Sequence, residues 1–182
     1  MNTYVVLDLE TTGLNEQNGR ILEVGAILLH PDNLTPVSEC GKVIHVPEPI
    51  LSGLCDEWCT TQHKRTGLWD RVINSSNTIQ IVEDELIELV NTYGVKNKVI
   101  LIGNNIGTFD MQWIKVHMPR LHKRLHYRVI DLTTMNILAK KFNTECYAQS
   151  VIKEWKHTAL NDCRDSLREL NVYLKFLFRK ER

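Results

Sequence analysis

Tyr4-Val5-Val6-Leu7-Asp8-Leu9-Glu10-Thr11-Thr12-Gly13 is a β-branched and aliphatic run that closes on two acids and a turn. It predicts a first strand whose end carries Asp8 and Glu10. Ile21 to Leu29 alternates loosely and stops at His30-Pro31-Asp32-Asn33, so a second strand closes in a turn before a third, expected over Lys42 to Val46. Three successive strands with short connections predict an antiparallel opening.

Working outward, the pattern changes period. Ile79, Val82, Leu86, Leu89, Val90 and Tyr93 recur at helical spacing with acids between them, and Gly94 supplies a stop. Val99-Ile100-Leu101-Ile102 is a continuous apolar run of the kind buried on both faces of a parallel sheet, terminated by Gly103-Asn104-Asn105. A helix over Asp110 to His117 ends before Pro119, because a residue preceding proline avoids helical geometry. Arg128 to Asp131 reads as a brief strand feeding a helix over Leu132 to Phe142 with Asp131 as its N-cap, and a last helix runs from Ala159 into the basic tail. Strands first, then strands alternating with helices, indicate an α/β domain with a mixed central sheet flanked by helices, occupying residues 1–182 as one unit.

The 22 basic and 22 acidic side chains give a net charge of zero, so the chain lacks the global positive field that gathers long nucleic acid. A nucleic-acid ligand would be short or held locally. No export signal and no membrane-length apolar run are evident, which predicts a soluble cytoplasmic protein. Cys40, Cys55, Cys59, Cys146 and Cys163 then read as free structural thiols; Cys55 and Cys59 share a helical face, but no second Cys/His pair completes a tetrahedral zinc site.

Side chains alternate along a strand, so Asp8 and Glu10 share one face. Paired carboxylates repel unless a divalent cation lies between them, although alone the pair also fits a polar strand end. Asp110 follows a Gly-containing loop at a helix start, where it suits a third ligand or a charge favoured by the helix dipole. His157 precedes Asp162 by a spacing that does not stack them on one helical face, leaving His157 free to approach an attacking water while Asp162 points into a metal site. Together, four acids and one histidine from separate segments match the architecture of two-metal phosphodiester hydrolysis, with two Mg²⁺ or Mn²⁺ ions and His157 as general base.

With those residues in place, the chain resembles the DEDDh 3′→5′ exonucleases, and among them the oligoribonucleases. The resemblance is carried by Asp8-Leu9-Glu10-Thr11-Thr12-Gly13-Leu14, by Asp56-Glu57-Trp58 with His63 and Gly67-Leu68, and by Leu101 to Gly107. It continues through Met118-Pro119, His126-Tyr127-Arg128 and His157 to Asp162, in one order along nearly the whole chain. Two departures stand beside the expected substrate: the loop before Asp110 is one residue longer, and Asn105 occupies a position where that family usually has serine. The resemblance implies an RNase H-like exonuclease fold and hydrolysis of short single-stranded RNA, especially dinucleotides, to 5′-mononucleotides. It also implies a homodimer.

By the same resemblance, Leu14 and Trp58 sandwich the bases, His63 lies near the sugar-phosphate, and Asn105 borders the substrate. An aromatic face contributes about 1–3 kcal/mol per stacked base without reading sequence. Arg128 before the helix start and Thr133 in its first turn form an anion site with the helix N–H groups. The resemblance assigns that site to a 5′-phosphate, with His126 and Tyr127 reaching over from a second protomer. A proofreading-type exonuclease of single-stranded DNA, to which Phe109-Asp110 is similar, and a non-catalytic domain binding short nucleic acid or a partner are the alternatives.

Overall fold

The structure, a computed structural model, describes residues 2–92, 98–152 and 158–177. Its strands are β1 (Asn2–Thr11), β2 (Ile21–Leu29), β3 (Pro36–Val43), β4 (Lys98–Gly103) and β5 (Ile130–Asp131). They form one sheet in the order β3-β2-β1-β4-β5, with β1–β2 and β2–β3 antiparallel and β1–β4 and β4–β5 parallel. The described helices are α1 (Glu48–Leu54), α2 (Glu57–Arg65), α3 (Leu68–Asn74), α4 (Ile79–Asn91), α5 (Asp110–His117), α6 (Pro119–His122), α7 (Leu132–Phe142), α8 (Thr144–Ser150) and α9 (Ala159–Leu177). This is the expected α/β architecture with an antiparallel opening followed by parallel strands.

Alternation along β1 decides which side the acids face. Val5, Leu7 and Leu9 enter an apolar cluster with Val82 and Leu86 of α4 and Trp113 and Ile114 of α5. Val6 turns the other way, into a cluster with Leu132 of α7, Cys146 of α8 and Leu167, Leu170 and Tyr173 of α9. With period two, Asp8 and Glu10 follow Val6 and so face the α9 side of the sheet. A third cluster, Leu22, Val46, Leu51, Leu68, Trp69 and Val72, fixes α1 and α3.

Two expectations are corrected. The third strand pairs over Pro36–Val43, meeting the expected Lys42 to Val46 only at Lys42 and Val43, because the hairpin tightens at Leu34 (φ 57°) and brings Pro36 opposite Leu29. Ile44 and Val46 are buried, which is what made them read as a strand, but only Ile44 continues the ladder, through its N–H to the Leu22 carbonyl at 2.8 Å. β5 is restricted to two residues, since Arg128 is turned by a bond from its N–H to His126 Nδ1 at 2.9 Å. α1, α2, α3, α6 and α8 were not anticipated. The helix stop at Tyr93-Gly94 and the basic tail fall outside the described residues. No described helix is long and apolar enough to cross a membrane.

Candidate active site

Three carboxylates meet at the α9 side of the sheet. One oxygen each from Asp8, Glu10 and Asp162 lies within 4.8 Å of the others. Asp8 and Glu10 come from the end of β1; Asp162 comes from the first turn of α9.

The approach of α9 is permitted by Gly25 and fixed by Glu23. In the β1–β2 register, Gly25 stands opposite Asp8 and Glu23 opposite Glu10. A Cβ at Gly25 would lie 2.3 Å from the Ala159 carbonyl atoms and 2.5 Å from the Leu160 nitrogen, so only glycine admits the helix start this close. Glu23, itself buried, accepts the Ala159 N–H at 3.3 Å and a forked pair of bonds from Arg71 of α3 at 2.6 and 3.3 Å. One carboxylate thus ties α3, β2 and the start of α9 into a single mount for Asp162. Neither Gly25 nor Glu23 was singled out from sequence; the only available signal was their alternation with Val24 and Ala26 in an otherwise apolar strand.

Asp110 opens α5 and is 3% exposed. It does not belong to the tight triad but lies within electrostatic reach of Glu10. Burial pushes the Asp110 carboxyl up to about 7, opposed by bonds its carboxylate accepts from its own N–H and that of Leu9. Glu10 is also pushed up to about 7, by burial first and then by the negative charges of Asp162, Glu23 and Asp110, against the opposing pull of Arg71. Oxygen donors crowded until they resist ionisation fit a hard divalent cation, which relieves both desolvation and mutual repulsion.

The pH consequence has a definite sign. Carboxyls whose folded-state pKa lies above the unfolded value stabilise the fold fully below pH 4 and lose that contribution as pH rises through about 7. Chelated protein should therefore melt about 5–10 °C lower at pH 8 than at pH 5.5, with most of the loss restored at pH 8 by Mg²⁺ or Mn²⁺. A flat melting profile in EDTA would show that these groups do not carry the repulsion described.

Beside the acids is a cavity of about 430 Å³ lined by Glu10, Leu14, Trp58, Cys59, His63 and Phe109, among others. Leu14 is 87% and Trp58 72% exposed, so two large apolar faces stand in solvent at the rim. His63 is buried at the base, its Nε2 2.9 Å from the Thr11 carbonyl.

The expected anion site is partly pre-empted. The Asp131 carboxylate caps α7 by accepting the Thr133 and Thr134 N–H groups at 2.9 and 3.4 Å, so these are not free for a ligand. The Thr133 hydroxyl accepts the Asn105 N–H at 3.1 Å and lies 3.4 Å from Asn104 Oδ1, tying the 104–105 loop to α7. Asn105 holds a left-handed backbone (φ 53°), tolerable for asparagine, and its carbonyl accepts the Phe109 N–H. Arg128 is exposed with its guanidinium 4.8 Å over the Tyr127 ring, which stacks on His126 at 4.7 Å. These three residues form a separate surface group that does not line the acidic cavity. His157 lies outside the described residues.

A triad of half-buried carboxylates at a sheet end stands beside an open cleft walled in part by Trp58 and Phe109. A family model for exonucleases of the RNase T type matches residues 5–170. The oligoribonuclease of Neisseria meningitidis serogroup A is 37% identical over 173 residues, covering 94% of this chain and 90% of that one. The probable oligoribonuclease of Schizosaccharomyces pombe is 36% identical over 94% of this chain and 67% of its own. The chain therefore belongs to the oligoribonuclease family of exonucleases. Among solved structures, exonuclease I from Methylocaldum szegediense superposes with a TM-score of 0.76 at 15% identity over 98% of this chain. E. coli exonuclease I with a dT13 oligonucleotide gives 0.69 at 13% over 97%. The chain spans about two fifths of those structures' length (42% and 41%), and they establish its fold alone.

Proposed function

We propose that this exonuclease removes nucleotides from the 3′ ends of short single-stranded RNA, dinucleotides above all, releasing 5′-mononucleotides. The observation that carries this reading is the Asp8–Glu10–Asp162 cluster beside a cavity whose walls are Leu14 and Trp58. The cavity is small, and the balanced charge of the chain favours a short ligand over a long polyanion.

Asp8, Glu10 and Asp162, with Asp110 beside them, would hold two divalent cations, Mg²⁺ or Mn²⁺. Such ions, when bound, lower the pKa of a water and offset charge on the phosphodiester and the leaving 3′-oxygen. Around them, Leu14 and Trp58 stack on the bases, His63 supports the sugar-phosphate and Asn105 borders the strand. His157 accepts the proton of the attacking water as its oxygen bonds to phosphorus and the bond to the 3′-oxygen breaks. His157→Ala should lower turnover by about 10²–10⁴-fold with little loss of binding. Normal turnover with weakened binding would reassign it to substrate positioning.

Arg128 and Thr133 would take the 5′-phosphate, with His126 and Tyr127 supplied by a second protomer. With the α7 N–H groups already capped, the guanidinium carries this role. Arg128→Ala should slow a 5′-phosphorylated dinucleotide by ~1.5–3 kcal/mol, the loss of a charged hydrogen bond, and a seven-residue RNA much less. Equal losses on both, or faster cleavage of long single-stranded DNA than of the dinucleotide, would favour a broader exonuclease.

A homodimer is supported by exposed apolar side chains on α7 and just past α8, with Phe142 74% and Ile152 71% exposed. The same preparation should sediment as a dimer, and a monomer that kept the dinucleotide preference would remove the partner's side chains from this account. The five cysteines are free thiols, which supports a reducing, cytoplasmic setting.

A further inference from the structure

Cys59 and His63 lie on successive turns of α2, one above the other, and Cys55, in extended backbone between α1 and the Asp56 cap, comes up beside them. The two sulfurs and a ring nitrogen of His63 lie within 4.8 Å of one another. In tetrahedral coordination with metal–sulfur and metal–nitrogen bonds of about 2.3 and 2.0 Å, such atoms stand roughly 3.5–3.8 Å apart. Rotamer adjustments of Cys59 and His63 on α2 and of Cys55 just before it would close that difference. The missing partner for the Cys55–Cys59 pair is thus a single histidine one turn further on.

The group differs in kind from the carboxylate triad. Thiolate and imidazole select soft or borderline ions such as Zn²⁺, whereas carboxylates select Mg²⁺ or Mn²⁺. A hydrogen bond from Cys59 lowers the Cys55 thiol, the same bond and burial raise the Cys59 thiol, and burial lowers His63, so an incoming ion would have to displace the shared thiol proton. Cys59 Sγ and the His63 ring both point at the Thr11 carbonyl, at 3.6 and 2.9 Å, one residue beyond Glu10. Three protein ligands leave a fourth position, as in zinc sites that keep an exchangeable ligand. Cys59 and His63 line the same cavity as Leu14 and Trp58.

We infer that Cys55, Cys59 and His63 form a second cation site, specific for zinc-like ions, whose filling withdraws His63 and obstructs the cavity, making the enzyme inhibitable by zinc. The cation site stands on its own geometry; the inhibition rests on the cavity being the substrate groove.

The test uses the full chain, reduced and saturated with Mg²⁺, titrated with Cd²⁺ as a spectroscopic probe and with Zn²⁺ during dinucleotide hydrolysis. Wild type should show a thiolate-to-cadmium absorption saturating at one equivalent. Cys55→Ser should keep its basal turnover, lose most of that absorption and need at least about tenfold more Zn²⁺ for half inhibition, a change of about 1.4 kcal/mol in binding. No thiolate absorption in wild type overturns the site, a result that needs no variant to fold. Equal zinc inhibition in both proteins without that absorption places the ion among the carboxylates and also overturns it. Thiolate absorption with undiminished turnover keeps the cation site but overturns the inhibition and removes His63 from the substrate path.

Discussion

Asp162→Ala should reduce hydrolysis by at least the upper end of the ~10²–10⁴-fold expected for a lost general base, while the protein remains folded. Asp162 is one of three carboxylates that share a single site, so its removal takes away a ligand and not one proton-transfer step. It lies on the first turn of α9, partly exposed, and makes no contribution to the apolar cluster beneath it. Because Asp162 is among the charges that push Glu10 upward, the variant should also be less destabilised by chelation at pH 8 than the parent. Substantial turnover by Asp162→Ala, measured by chromatographic release of mononucleotides, would end the metal-site reading.

Gly25→Ala is expected to act nearly as strongly from a position that touches no substrate. The added methyl would meet the α9 backbone at 2.3–2.5 Å, and backbone, unlike a long side chain, cannot swing aside. The helix start must retreat by about 1 Å or more, and Asp162 with it; a misplacement of that size costs on the order of 10²-fold in rate. Overpacking of this kind typically costs 1–3 kcal/mol, about 2–12 °C in melting temperature for a chain of this length. Gly53→Ala, where nothing lies within 4 Å of the added carbon, is the control and should be silent. An alanine at 25 with wild-type turnover would mean that α9 can shift without disturbing the acids.

What could be read in advance follows from the range of the forces involved. β2, α5 and α7 match their expected bounds because each is set locally, by apolar alternation, by Asp110 and Pro119, or by the Asp131 cap. The segment carrying α1, α2 and α3 was opaque. Its helices are 7, 9 and 7 residues long, and α2 buries only Cys59 and His63, so it has too few apolar positions to show a period. Asp8 and Glu10 were legible as a pair because two residues on one strand share a face. That Asp162 joins them while Asp110 stands slightly apart depends on Gly25 and Glu23, a long-range fit that no local pattern encodes. The backbone N–H share of the anion site fails for a related reason. Asp131 was correctly read as a cap, and the same N–H groups were also counted as free.

The mount of Asp162 on α9 also has a bearing on how the chain comes into being. Two of the triad's acids lie on β1, and the third lies on α9, beyond every strand of the sheet and the other described helices in chain order. A growing chain, or a proteolytic fragment cut anywhere before α9, carries an incomplete set of ligands. Completion of the triad is thereby coupled to the docking of α9: the acids of β1 gain their third member only when the far end of the fold closes onto the sheet.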